Sequence, residues 1–295
     1  MDILSKSVIP LKNKSPSATK LTGRFFQAPI DLEGVSVAFG AAANQKIILD
    51  SMTAHIEPGE FVALLGPSGC GKSTVLNLVA GYLKPTSGAV VVNGSPVDGP
   101  DPQRGMVFQQ HSLFPWKTVQ ENVEFGPRMA GEPKTIAEST ARTFLGMVGL
   151  GKFANHYPSQ LSGGMQHRVE IARALANYPG VLLMDEPFGA LDAQTRLVMQ
   201  DGLLKLWEQF KPTVLFVTHD IDEAVLLADR ILIMGVSPGR VIAELDVTIE
   251  RPRNVRAITD QRFARLKAQC LELLEHESRK AFGADDSEEA EAGVA

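Results

Sequence analysis

The sequence predicts an α/β fold with two additions, an antiparallel β subdomain near the start and a helical subdomain inserted in the middle. Three observations carry this. Phe61-Val62-Ala63-Leu64-Leu65, Val181-Leu182-Leu183-Met184 and Thr213-Val214-Leu215-Phe216-Val217 are short apolar runs. Each is followed at once by polar or glycine residues, the pattern of strands buried on both faces of a parallel sheet. Between Ile30 and Glu60, and again between Gly88 and Phe108, β-branched runs alternate with turn residues such as Glu57-Pro58-Gly59 and Asn93-Gly94, which indicates antiparallel strands. Residues 115–165 are rich in helix formers, broken at Gly126-Pro127 and Gly131-Glu132-Pro133, and interrupt the α/β pattern.

In chain order, residues 1–29 scatter Ser, Pro and Lys without a period and read as a flexible arm. The folded part is expected to begin near Ile30. After Pro252, Phe263, Leu266, Cys270 and Leu273 or Leu274 recur at helical spacing. The final acidic run from Asp285 to Glu291 is expected to lack fixed structure. The organisation is therefore an arm (1–29), a main domain (30–253) containing the helical subdomain, and a C-terminal helix with an acidic tail (254–295).

A chain of 295 residues can bury a substantial core in one or two domains. Its net charge of −5 disfavours nucleic acid as main partner, because phosphate neutralisation needs a basic footprint. The longest apolar runs fall far short of the roughly 20 residues that span a bilayer, so the chain is not expected to cross a membrane itself. The N-terminal lysines precede no apolar stretch of secretory type. Cys70 and Cys270 are the only cysteines and lack metal-ligand spacing, which suggests neither a disulfide framework nor a zinc site and fits a reducing cytoplasm.

The chemistry sits in loops after the predicted strands, the edge at which open α/β sheets bind ligands. Gly66-Pro67-Ser68-Gly69-Cys70-Gly71-Lys72-Ser73-Thr74 follows the first apolar run. Its glycines let backbone N–H groups face phosphates, Lys72 reaches the β and γ phosphates, and Ser73 places its hydroxyl on Mg²⁺. The helix from Lys72 adds the positive end of its dipole. Cys70 reads as a small spacer within this cradle. Asp185-Glu186 follows the second run, where Asp185 would hold Mg²⁺ and Glu186 would polarise an attacking water. Leu161-Ser162-Gly163-Gly164 precedes a helix with Met165, Val169, Ala172 and Ala176 on one face. Ser162 is its N-cap, and Gly163 and Gly164 expose backbone N–H groups.

Six strings in order, GPSGCGKST, Phe108-Gln109, LSGGMQ, VLLMDEP, Ala190 to Asp192 and Thr218-His219, resemble the ATP-binding subunits of ABC transporters over residues 30–253. The resemblance implies a P-loop NTPase core and a head-to-tail dimer in which Ser162 and Gly164 of one subunit contact the γ phosphate held by the other. It implies that Gln109 senses Mg²⁺, the attacking water and the helical subdomain. His219 is implied to hold the γ phosphate and Glu186 in register, Asp192 to link the two sites, and Phe39 to stack on adenine. His167 stands where close relatives often have Gln, and is expected to be a solvated helix residue.

Leu113-Phe114-Pro115-Trp116, Ser237-Pro238-Gly239-Arg240 and Arg251-Pro252-Arg253 resemble importer ATPases of the nitrate, sulfonate and taurine group. The lack of a long C-terminal regulatory domain agrees with that group. The resemblance implies ATP with Mg²⁺ as cofactors, a separate integral-membrane permease, a second ATPase subunit and, indirectly, a solute-binding protein. It places the chain peripherally on the cytoplasmic face of the inner membrane. Phe114-Pro115-Trp116 offers an aromatic interface anchor, or alternatively a local core, and Trp207 joins Leu203, Leu206 and Phe210 on a core face. The alternative is a soluble ABC ATPase acting on ribosomes or DNA; a single set of motifs and a short stretch between Lys72 and Leu161 disfavour it.

Overall fold

The three continuous apolar runs build one sheet buried on both faces, since successive side chains of a strand point to opposite sides. A computed structural model describes residues 24–40, 44–236 and 238–292. Most of the expected arm, residues 1–23, and Ser237 of the Ser-Pro-Gly-Arg string lie outside the described residues. The strands are Ile30–Phe39 (β1), Lys46–Ile56 (β2), Phe61–Leu65 (β3), Ser87–Val92 (β4), Ser95–Pro96 (β5), Arg104–Val107 (β6), Val181–Asp185 (β7), Thr213–Thr218 (β8), Arg230–Gly235 (β9) and Arg240–Asp246 (β10). The α-helices are Lys72–Ala80 (α1), Val119–Met129 (α2), Lys134–Met147 (α3), Gly163–Leu175 (α4), Ala193–Phe210 (α5), Ile221–Leu227 (α6) and Gln261–Ala292 (α7).

The larger sheet has the order β10-β9-β3-β8-β7-β6 and is parallel except for β10 against β9. Phe61, Ala63 and Leu65 of β3, with Val214 and Phe216 of β8, face one core beneath α2 to α6. Val62, Leu64, Leu215 and Val217 face a second core with α1 and the antiparallel sheet. The period of two thus sends neighbouring residues of one strand into different cores. The second sheet, β2-β1-β4-β5, is antiparallel throughout.

One strand lies in a different sheet from the one expected. Arg104–Val107 pairs in parallel with β7, Arg104 opposite Val181 and Val107 opposite Met184, although the stretch Gly88 to Phe108 reads as antiparallel. Four residues with two apolar side chains carry no distinctive period, so their neighbour is chosen by tertiary packing. A second correction concerns the start of the fold. Residues 24–29, assigned to the arm, pack onto the body: the Phe25 ring stacks on Phe210 at 4.5 Å and meets Tyr178 edge-on at 5.3 Å. Such ring pairs add about 0.5–1.5 kcal/mol each beyond burial. Phe26 presses on Gly180, where an added Cβ would stand 2.4 Å from its ring.

The helical region starts at Thr118, whose hydroxyl and Glu121 form a reciprocal capping box at the head of α2. Gly126-Pro127, expected as a break, lies inside α2. Pro127 is in the last turn, and Gly126 is abutted by the Asn177 side chain, 2.2 Å from where a Cβ would sit. The acidic C-terminal residues also depart from expectation, since α7 continues through them to Ala292; alanine and glutamate are good helix formers. Trp207 is core, as its helical face predicts, and donates from Nε1 to the Pro212 carbonyl at 3.0 Å.

Candidate active site

Parallel pairing of β3, β6, β7 and β8 brings their carboxyl ends to one edge, and the predicted residues meet there. The cradle follows Leu65. Gly69 and Gly71 have φ of +82° and +96°, a left-handed conformation that residues with side chains rarely adopt. Lys72 is buried and donates from Nζ to the carbonyls of Gly66 at 2.7 Å and Pro67 at 2.9 Å. Its charge therefore sits over the loop. Pro67, Ser68 and Gly69 are at least partly open to solvent, whereas Cys70 is buried and burial pushes its thiol pKa up. Cys70 therefore serves as a space-filling residue.

Ser73 Oγ donates to Asp185 Oδ1 at 3.1 Å, which joins the end of the cradle to the end of β7. Burial raises the Asp185 carboxyl above its ordinary range and the neighbouring Glu186 adds to this, while Ser73 and Lys72 oppose it. A desolvated carboxylate beside a hydroxyl suits a hard divalent cation, which repays the lost hydration. Thr74 follows in the first turn of α1, half-buried.

Glu186 is the meeting point of the other strand ends. Its Oε2 accepts from Gln109 Nε2 at 3.3 Å and lies 3.0 Å from His219 Nδ1. Gln109 comes from the loop after β6 and His219 from the residue after β8. The backbone of Glu186 has φ +42°, unusual for a residue with a side chain. Local strain of this kind persists where the surroundings over-determine it, as at reactive positions. A carboxylate held by an amide and an imidazole at a strand end can take a proton from a nucleophile placed against it.

The predicted residues Ser162, Gly163, Gly164, Asp192 and Phe39 lie outside this cluster of contacts. Ser162 caps α4, its Oγ accepting from Met165 N–H at 3.4 Å, and Ser162 and Gly163 are exposed. Gly164 faces the head of α5, with an added Cβ 2.9 Å from Thr195 Cγ2. Asp192 caps α5 by accepting from the N–H groups of Gln194 and Thr195 at 3.1 and 3.0 Å. Those hydrogen bonds, the Thr195 ones foremost, hold its carboxyl below the usual range. Phe39, at the end of β1, is 50% exposed. Trp116 is 71% exposed, beside a Phe114 that packs on Phe125 at 4.7 Å. The aromatic string thus divides between a local core and an open face.

Sequence reasoning missed several supports. Buried Glu223 accepts from Thr218 Oγ1 at 2.7 Å and from Gln200 Nε2 at 3.3 Å, which braces the strand end that carries His219. Asp220 caps α6 by accepting from the N–H groups of Asp222 and Glu223, and nothing in the sequence pattern shows that Glu223 turns inward. Arg196 donates to Asp220 at 2.9 Å and ties the heads of α5 and α6. Gly239 backs the cradle: a Cβ there would lie 2.1 Å from the Cys70 carbonyl oxygen. His167, expected to be solvated, is only 3% exposed. It faces inward because α4 is buried on that side against Phe188, whose ring it meets at 5.6 Å.

The ABC transporter family model matches residues 49–189, from β2 through the cradle and the Ser162–Gly164 turn, the signature turn, to just past the Asp185-Glu186 pair. A nitrate import ATP-binding protein of Synechococcus elongatus is 43% identical over 81% of this chain and 89% of its own length. The chain belongs to the ABC transporter ATP-binding family. A taurine import ATP-binding protein of Roseobacter denitrificans is 51% identical over 66% of this chain and 73% of its own. Among solved structures, a dimeric ATP-binding cassette in a post-hydrolysis state with ADP and Pi aligns with a TM-score of 0.66 at 36% identity, covering 75% of this chain and all of that one. The P-loop NTPase core with its two additions is therefore the cassette fold, and the chain is an ATPase of the ABC type. No helix among its described residues is long and apolar enough to cross a membrane.

Proposed function

We propose that this ABC ATPase hydrolyses ATP to energise import of a small anion or sulfonate, of the nitrate and taurine type, through a separate membrane permease. The relatives named for nitrate and taurine import support the solute class. The observation that carries the catalytic part is Glu186, gripped by Gln109 and His219 beside the Ser73–Asp185 pair.

In this reading Gly66 to Thr74 cradle the phosphates by backbone N–H groups, and Lys72 reaches the β and γ phosphates. Phe39 stacks on adenine. Ser73 and Asp185, with Gln109 nearby, would hold Mg²⁺, which neutralises phosphate charge when bound. Glu186 accepts the proton of the attacking water, while His219 keeps that carboxylate and the γ phosphate in register. Ser162, Gly163 and Gly164 point their free N–H groups at nucleotide held by a second ATPase subunit, and Asp192 links the two sites across the dimer.

Closure of two subunits on ATP moves the helical subdomains and the permease helices docked on them, and hydrolysis with product release resets the assembly. The exposed Trp116 is suited to the permease contact, since aromatic residues anchor interfaces. A solute-binding protein would deliver the solute, and the chain would sit peripherally on the cytoplasmic face of the inner membrane.

Glu186→Gln keeps the side chain's shape and removes its basicity. It is expected to retain ATP binding, lose about 100-fold or more of turnover and accumulate a closed dimer in size-exclusion chromatography with ATP. Turnover at the wild-type rate would remove Glu186 from the base role.

A further inference from the structure

We propose that His111, His167 and Glu170 form a binding site for a divalent transition metal of the zinc class, outside the nucleotide pocket. His111 lies on the segment between Gln109 and α2, and His167 and Glu170 lie one turn apart on α4 and so share a face. One ligand atom from each comes within 4.8 Å of the other two. Glu170 Oε2 stands 3.1 Å from His111 Nδ1 and 3.6 Å from His167 Nδ1. Ligands about 2.0–2.1 Å from a tetrahedral zinc ion are separated from one another by about 3.3 Å, and those two distances bracket that value.

Ordinary hydrogen bonding accounts for His111 and leaves His167 unexplained. His167 is 3% exposed, and its Nδ1 stands 3.6 Å from Oε2, longer than a good hydrogen bond and close to the spacing of two ligands on one ion. A buried imidazole left in this way is costly unless something else is bound to it. The carboxylate is already aimed: Ser112 N–H donates to Oε1, leaving Oε2 toward the two rings. The His111 side chain is 40% exposed while that of Glu170 is 1% exposed, so an ion would enter past His111 and finish against buried ligands. Imidazole and carboxylate together suit zinc and its neighbours in preference to magnesium.

The site would join two working parts of the ATPase. His111 follows Gln109 by two residues, and a Cβ at Gly163 would lie 3.6 Å from His111 Nε2. A bound metal therefore clasps the Gln109 segment to the helix headed by Ser162.

The experiment is Co²⁺ and Zn²⁺ titration of the untagged full chain without nucleotide, with Mg²⁺ in excess to occupy the Ser73–Asp185 region, followed by visible absorption and calorimetry. The expected result is about one equivalent of metal, with the absorption of tetrahedral Co²⁺. In His167→Gln and His111→Ala the affinity is expected to fall roughly 10- to 100-fold, while binding of a fluorescent ATP analogue, the control for folding, is unchanged. Should His167→Gln lose analogue binding as well, the outward-facing His111→Ala decides. No metal bound by the wild-type chain, or undiminished affinity in a folded variant, overturns the proposal.

Discussion

The phosphate cradle and the Ser162–Gly164 turn are both glycine-bearing starts of helices, yet they are completed in opposite ways. At the cradle, Gly71 heads α1 without a side-chain cap, and Lys72 and Ser73 reach groups of the same chain: the Gly66 and Pro67 carbonyls and the Asp185 carboxylate. At the signature turn, Ser162 supplies its own cap, Ser162 and Gly163 are exposed, and no polar contact among the described residues joins them to the cradle. Each turn offers N–H groups to an anion. The first has walls and a counter-charge around it, whereas the second is open to solvent at Ser162 and Gly163. Under the proposed function a site assembled from both needs two chains, with the cradle setting affinity and the turn setting turnover.

The largest effect that would break this division is expected from Lys72→Ala. It removes the one buried ammonium of the cradle, and nucleotide affinity should fall roughly 100-fold, as for loss of charge-assisted hydrogen bonds. Equilibrium binding of a labelled ATP analogue measures it, and an unchanged affinity would refute the cradle assignment. Gly164→Asp should act on the other side of the division, because it puts a negative charge at the turn proposed to meet the partner's nucleotide and a Cβ against Thr195. ATP turnover is expected to drop about tenfold, ~1.4 kcal/mol of barrier, with the affinity of the isolated chain intact. If affinity fell in step with turnover, the turn would be serving its own chain's nucleotide and the comparison would fail. Phe39→Ala sharpens the same comparison at a smaller scale. Stacking on a half-exposed ring is worth about 1 kcal/mol, so affinity should weaken about fivefold for ATP and hardly at all for inorganic triphosphate.

What was legible in the sequence was local. The cradle needs consecutive residues of set backbone geometry, and a strand buried on both faces needs only a short apolar run. Both can be read without knowing any neighbour. The gathering of Asp185, Glu186 and His219 at one edge was legible for a related reason, since parallel strands present their carboxyl ends together. The roles proposed for Ser162 and Asp192 rest on resemblance, because cap residues look alike wherever their helices point.

The sequence by itself determined that a glycine-rich loop would open onto the edge of a parallel sheet, because these features are set by periodicity and backbone conformation within a few residues. Only the tertiary structure decided that Arg104–Val107 joins that sheet, that Phe25 stacks on Phe210, that Glu223 turns inward under Thr218, and that His167 is buried against Glu170. Each of these pairs residues far apart in the chain or chooses between two faces of a helix. That choice follows from which surfaces exclude water once the cores close, and no short window of sequence contains the competing surfaces.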